Sequence, residues 1–205
     1  RQRQMCIRDR PGTWAYSGGG YTAIQQAVVD STGDDFAALA AARVLGPLGM
    51  DRSVFAQPLP DDMWADDTTA GAVGGELFGA MVHPELAAAG MWSTATDLAA
   101  FVIGFQAALA GESGVLAPDT AAAMVDRVAG GPGVAVGRGW FIDVGDPVRW
   151  FWHNGRNLGY TSRVLGSVDG RHGIVVLTNA LEGDALIRAI VHAVGELEGW
   201  DGAPV

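Results

Sequence analysis

The 205-residue sequence contains no lysine; all 13 of its basic residues are arginine. That removes the lysine a phosphate-binding loop requires. It also removes any Ser-x-x-Lys pair, in which a lysine one helical turn away activates a serine nucleophile. Cysteine is nearly absent: the one copy, Cys6, lies in the first ten residues. The rest of the chain therefore has neither a disulfide framework nor a thiolate metal site. The four histidines, at 83, 153, 172 and 192, show no paired-ligand spacing, which speaks against a metal centre. No serine sits in a G-x-S-x-G setting. Long apolar runs are lacking too, because Ala, Gly and acidic residues interrupt every candidate membrane span. Positive charge is scarce, with a net charge of −10. Such a surface repels phosphate backbones and anionic lipid, so neither nucleic acid nor a membrane surface is an expected partner.

What is present fits one globular domain: 49% apolar and 18% charged residues over a length sufficient for an ordinary core. The opening segment RQRQMCIRDR differs from the rest, with four arginines and the sole cysteine. The string QMCIRD resembles the translation of an adapter used in preparing sequencing libraries. Residues 1–10 are therefore set apart as a non-native segment, and 11–205 are read as one partial domain. Without residues 1–10 the balance is 9 basic against 22 acidic residues, a net −13. The exclusive use of arginine with abundant alanine points to a GC-rich bacterial genome.

Helical periodicity dominates the first two thirds. Tyr21, Ile24 and Val28 recur on one face of a helix over 21–32 that Gly33 stops. Asp34 or Asp35 caps a second helix with a Phe36, Leu39, Ala40, Val44 stripe, ended by Gly46-Pro47. Residues 57–83, rich in Pro, Asp, Gly and Thr, read mostly as loop, and their length suggests a lid or binding loop. A helix opens at 94–97 with Leu98, Phe101, Val102, Phe105 and Leu109 on one face. Pro118 starts another, with Met124, Val125 and Val128 as its buried face. Strands follow over 139–144, 148–153, 160–168 and 173–178, the last two joined at Asp169-Gly170. Leu186, Ile187, Ile190, Val191, Val194 and Leu197 define a closing helix. This order predicts an α+β fold with helices packed on an antiparallel sheet.

Two stretches carry the candidate chemistry. The first is PGTWAYSGGGY, Pro11 to Tyr21. Tyr16 stands just before a Gly-rich turn and a helix N-terminus, where dipole and backbone N–H groups favour a phenolate. The competing reading is a half-buried structural tyrosine. The glycines at 18–20 could cradle phosphate, but no strand precedes them and no G-x-G-x-x-G is present. The second stretch is WHNGRNLGYTS, Trp152 to Ser162. On residue type alone His153 there is a strand-end histidine bonded to a carbonyl. The paired acids Asp61-Asp62 and Asp66-Asp67 read as a solvated loop.

In this order the two stretches resemble the second and third active-site motifs of β-lactamase-related serine hydrolases, the penicillin-binding-protein and class C β-lactamase-like family. The flanking runs DSTGDDF, LGPLGM and AGMWST agree with it, and the likeness extends over nearly all of 11–200. The resemblance implies a β-lactamase/transpeptidase-like fold with a helical subdomain, truncated at its N-terminal end. It implies that Tyr16 is a general base or proton relay. It places His153, Asn154 and Gly155 at the Lys-Thr-Gly or His-x-Gly triplet and makes the Arg156 N–H half of an oxyanion hole. Ser17 and Gly18 complete the Tyr-x-Asn motif, from which Gly18 departs because it lacks the amide. The implied activity is acyl-enzyme hydrolysis of small esters, amides or D-amino-acid peptides, with no cofactor and no metal, the small-molecule substrate being the partner. The nucleophile would lie outside this chain, which alone would be inactive. A non-catalytic ligand-binding or sensor domain on the same scaffold is the alternative. Truncation predicts a bared apolar face around Ile187, Ile190 and Val191, an open sheet edge and a large hydrophobic groove.

Overall fold

The computed structural model describes residues 14–64, 70–79, 81–131, 134–143, 148–200 and 202–204. The opening segment 1–10 and the acid pair Asp66-Asp67 lie outside the described residues, whereas Asp61 and Asp62 are exposed on a 3-10 turn.

The centre of the molecule is a six-stranded antiparallel meander in sequence order. Its strands are β3 (Ala129–Gly131), β4 (Val134–Val136), β5 (Phe141–Asp143), β6 (Trp150–Asn157), β7 (Tyr160–Ser167) and β8 (Gly173–Thr178). A separate small hairpin joins β1 (Gly71–Val73) to β2 (Glu76–Phe78). Among the described residues six α-helices accompany the strands: α1 (Gly18–Thr32), α2 (Phe36–Ala40), α3 (Leu86–Ala89), α4 (Ala95–Leu109), α5 (Pro118–Val125) and α6 (Asp184–Glu198).

Helix boundaries follow from local capping. The Ser17 hydroxyl accepts from the Gly20 N–H and so opens α1 three residues before its periodic face begins. Gly33, left-handed at φ 76°, closes it by donating to the Val29 carbonyl. Of the two candidate caps for α2, Asp35 is the one used; it accepts from Ala38 N–H. The same stretch continues through a π turn, Ala41–Leu45, to Gly46. Thr94 caps α4 through Asp97 N–H, and Pro118 stands at the start of α5. The carbonyls at the end of α5 are taken by two arginines. Arg138 bonds Ala123 through its side chain and Met124 through its backbone N–H, and Arg149 Nη2 donates to Val125 at 2.8 Å.

Strand alternation sends side chains to two cores, one on each face of the sheet. On one face Phe151 and Ile142 meet Val102, Phe105 and Ala108 of α4, Ala121 and Val125 of α5, and Trp140. On the other, Trp150, Leu165 and Val176 meet Ile187 and Val191 of α6. Gln106, itself buried, donates from Nε2 to the carbonyls of Ser167 and His172, tying α4 to the turn between β7 and β8.

Several expectations need correction. The stretch 57–83 is not mostly loop throughout, since β1 and β2 form a hairpin there across Gly74-Gly75, both with positive φ. Two short strands, β3 and β4, precede the expected sheet. Val128 is exposed, because α5 ends at Val125 and the chain is already extended at Asp126. Leu186 and Leu197 are also exposed: at 100° per residue they lie ~80–100° round α6 from Ile187. The face around Ile187 and Val191 is not bared; both side chains are buried against β7 and β8. Within the described residues β8 pairs only with β7, so one sheet edge is open as expected.

Candidate active site

The register of β5, β6 and β7 builds one wall of the site. Phe141 pairs directly with Trp152, and β5 makes no pair with β6 beyond it. Their rings stack with centroids 4.6 Å apart and planes 19° from parallel. Tyr16 also stacks with Phe141, at 6.1 Å and 16°. His153, the next residue along β6, has its ring 6.1 Å from Tyr16 and 5.4 Å from Phe141. Tyr16 and His153, far apart in sequence, thus line one cleft of about 210 Å³. Trp14, Ser17, Tyr21, Ile24 and Trp140 complete most of its walls.

Electrostatics in the cleft centre on His153. Burial lowers its pKa from the ordinary 6.5, more than its bond to the Asn154 carbonyl raises it. That bond, Nδ1 to oxygen at 2.7 Å, also fixes the tautomer. A carbonyl can only accept, so Nδ1 carries the proton, and in the neutral ring Nε2 holds the lone pair. The carbonyl contact expected of a merely structural histidine is therefore present, and it leaves Nε2 as an acceptor. Tyr16 is 63% exposed, not half-buried.

Arg156 is placed by the ladder. The Val168 N–H bonds the Arg149 carbonyl, and hydrogen-bonded pairs alternate from there along β6 and β7. The pair Arg156–Thr161 is by this count a non-hydrogen-bonded one. The Arg156 N–H points away from β7, to the side where β5 has already ended. Its guanidinium lies elsewhere, in an exposed ion pair with Asp184 at the start of α6, 2.9 Å long.

The remaining predicted site residues divide. Ser17 lines the cleft, with its hydroxyl engaged as the α1 cap. Gly18 has open space where a side chain would project. Asn154 is exposed, and its side-chain oxygen accepts from Arg163 Nη1 at 3.2 Å. At Gly155 a Cβ would come within 2.3 Å of the Ser162 hydroxyl, so Gly here spares a neighbouring side chain. The 89–94 stretch braces the same end of the sheet. Asn157 Nδ2 donates to the Ala89 carbonyl at 3.0 Å, and Trp92 meets Tyr160 edge-on at 5.5 Å.

Sequence reasoning missed the aromatic wall. Trp140 and Phe141 carry no motif; only their alternation about a turn, next to Gly139 at φ 93°, hints at two opposite faces. It also missed Arg163, which is buried on β7 with its guanidinium 4.8 Å from the Trp152 ring. Besides Asn154, Arg163 holds the Pro204 carbonyl through Nη2, and burial lowers its pKa.

No individual curated protein matches the chain. Among solved structures, an octameric penicillin-binding protein homologue from Pyrococcus abyssi matches at TM-score 0.76 and 20% identity, over 94% of this chain and 44% of that one. A class C β-lactamase matches at 0.76 and 17%, over 96% and 60%. A D-amino acid amidase from Ochrobactrum anthropi SV3 matches at 0.68 and 19%, over 91% and 60%. These likenesses establish the β-lactamase/transpeptidase-like fold, and the chain spans only about half the length of the structures it matches. The family model described as Beta-lactamase covers residues 3–195. The chain belongs to the β-lactamase family, whose members are in general hydrolytic serine enzymes.

Proposed function

We propose that the protein carrying this chain is a serine hydrolase that acts through an acyl-enzyme on small esters, amides or D-amino-acid peptides. The observation that supports it most is the meeting of Tyr16 and His153 in one cleft. In this reading the nucleophilic serine comes from outside this chain, which has no Ser-x-x-Lys. The serine oxygen attacks the carbonyl carbon while its proton passes to a base, with Tyr16 as relay. The carbonyl oxygen gains the charge and is met by the Arg156 N–H. The relayed proton then goes to the departing alcohol or amine. Water repeats the sequence on the acyl-enzyme and frees the acid.

A second reading, a ligand-binding or sensor domain, draws support from Gly18. Where the family carries an amide, this chain carries no side chain and the space stands open. Acylation separates the two. The full-length protein should be labelled by a fluorophosphonate or a β-lactam probe, and Tyr16→Phe should slow labelling by roughly 10²-fold or more. The 205-residue chain alone should not label. A full-length protein that stays unlabelled favours the binding domain.

A further inference from the structure

Arg163 and His153 lie on neighbouring strands, β7 and β6, and strand alternation sends their side chains to opposite faces of the sheet. Arg163 is 7% exposed, and its guanidinium makes three contacts. Nη1 donates to the Asn154 side-chain oxygen at 3.2 Å, and Nη2 donates to the Pro204 carbonyl. The group also lies 4.8 Å from the centre of the Trp152 ring. Two of these contacts, Trp152 and Asn154, are the residues on either side of His153.

The strand register brings both within reach. Arg163 stands directly opposite Asn154 in a non-hydrogen-bonded pair, the kind whose side chains come closest, and Trp152 is its diagonal neighbour. In such a pair the Asn154 carbonyl points away from β7, and β5 pairs with β6 only as far as Trp152. The carbonyl is therefore open to the His153 Nδ1, 2.7 Å away. The Arg163 bond to the Asn154 side chain steadies the same residue whose carbonyl holds the histidine ring. The second contact acts through aromatic packing. Trp152 stacks on Phe141 with centroids 4.6 Å apart, and Phe141 lies 5.4 Å from His153. The guanidinium thus backs the ring that backs the histidine's own wall.

We propose that Arg163 is a positioning residue for His153: by holding Asn154 and Trp152 it keeps the Nδ1 proton on the Asn154 carbonyl and leaves Nε2 as the acceptor. The proposal rests on the reading that His153 works in the cleft beside Tyr16, and it deepens that reading. The tautomer of a neutral imidazole is set by the bond its other nitrogen makes. A neutral histidine released into water favours the proton on Nε2, so losing the Asn154 bond turns that nitrogen from acceptor into donor. Arginine suits the task. Its planar fork stacks on a ring and donates in its own plane at once, which the point charge of a lysine does not. A residue that only anchored the Pro204 carbonyl would leave the tautomer of His153 untouched.

Nitrogen NMR of the full-length protein, made with isotope-enriched histidine, reads the tautomer directly and needs no substrate. The His153 signals are those that vanish in His153→Gln. At about pH 8, above the ordinary histidine value of about 6.5, His153 should show a protonated Nδ1 and an unprotonated Nε2. Arg163→Met keeps an apolar stem against Trp152 and removes the donors and the charge. In it the Nδ1-protonated form should fall from the major to the minor tautomer. Asn154 is exposed, so Asn154→Ala keeps the fold. It removes the acceptor of Arg163 but not the backbone carbonyl, and should shift the ring in the same direction. Because both changes break one bond, the double variant should shift no further than Arg163→Met alone. A wild-type ring protonated on Nε2, or an unchanged tautomer in either variant that folds, overturns the proposal. Should Arg163→Met not fold, Asn154→Ala alone decides. Acylation by a fluorophosphonate or β-lactam probe judges the hydrolase reading separately. An acylated protein whose His153 ignores Arg163 sinks only this inference. A tautomer lost with Arg163 in a protein that is never acylated sinks only the hydrolysis.

Discussion

At the residue scale, His153 couples the site to pH. Its folded pKa lies below the 6.5 of an unfolded chain, because burial disfavours the charged ring. The unfolded state therefore binds the proton more readily. The contribution is fully present above about pH 6.5 and is lost as pH falls through the depressed folded value. Urea melts from pH 7.5 down to 5 should show stability falling with acid, and His153→Phe should flatten that part of the curve. Glycines set a second residue-scale constraint. A Cβ at Gly137 would lie 2.1 Å from the Met124 carbonyl oxygen, where backbone and not a mobile side chain is struck. Gly137→Ala should therefore cost more than a routine surface change, on the order of 2 kcal/mol or above, in denaturant midpoint. Gly155→Ala should cost less, since the Ser162 hydroxyl can turn aside. The Asp35 cap is worth about 1 kcal/mol, which Asp35→Ala should remove.

At the element scale, the sheet carries the fold. Phe151 is fully buried beneath α4 between Phe105 and Trp140, with ring centroids at 4.9 and 4.8 Å. Phe151→Ala should destabilise by roughly 3–5 kcal/mol, read from thermal or chemical melts. Most elements were legible because their signals are local. The Asp cap of α2, the opening at Thr94, the Gly33 stop, Pro118 and the apolar stripe of α4 each act within one or two helical turns, whereas the Ser17 cap and with it the first turn of α1 escaped. Strands β7 and β8 and the first half of β6 were legible from β-branched and aromatic runs between turns, but β6 runs on through the polar stretch 154–157, so His153 lies within the strand and not at its end. What escaped has a different physics. Strands β3 and β4 are three residues each and contain Ala and Gly, so they exist through pairing and not through propensity. Hairpin β1–β2 hid in a polar stretch although Gly74-Gly75 is a turn signal. In the site, motif positions Tyr16 and His153 could be read from their neighbours in sequence. Phe141, Trp140 and Arg163 could not, because only tertiary register brings them there.

Across the whole molecule, order should not be uniform. Both cores lie on the central sheet, and α1 has no buried residue at all. Helix α1 is held mainly by Gln25, which bonds the Ala87 N–H and the Pro84 carbonyl. Hydrogen exchange should show β6 and β7 opening last and α1 among the first helices to open. Protection as strong in α1 as in β6 would contradict this. A ligand in the cleft should slow exchange in α1, because Tyr21 and Ile24 form one of its walls. Finally, Arg163 also holds the Pro204 carbonyl. The same guanidinium grips the Asn154 side chain and covers Trp152, so Pro204 is tied to the strand that carries His153. Arg163 thus works as a clasp between residues 41 positions apart in sequence, and opening it would be felt on the site's own strand before it was felt in either core.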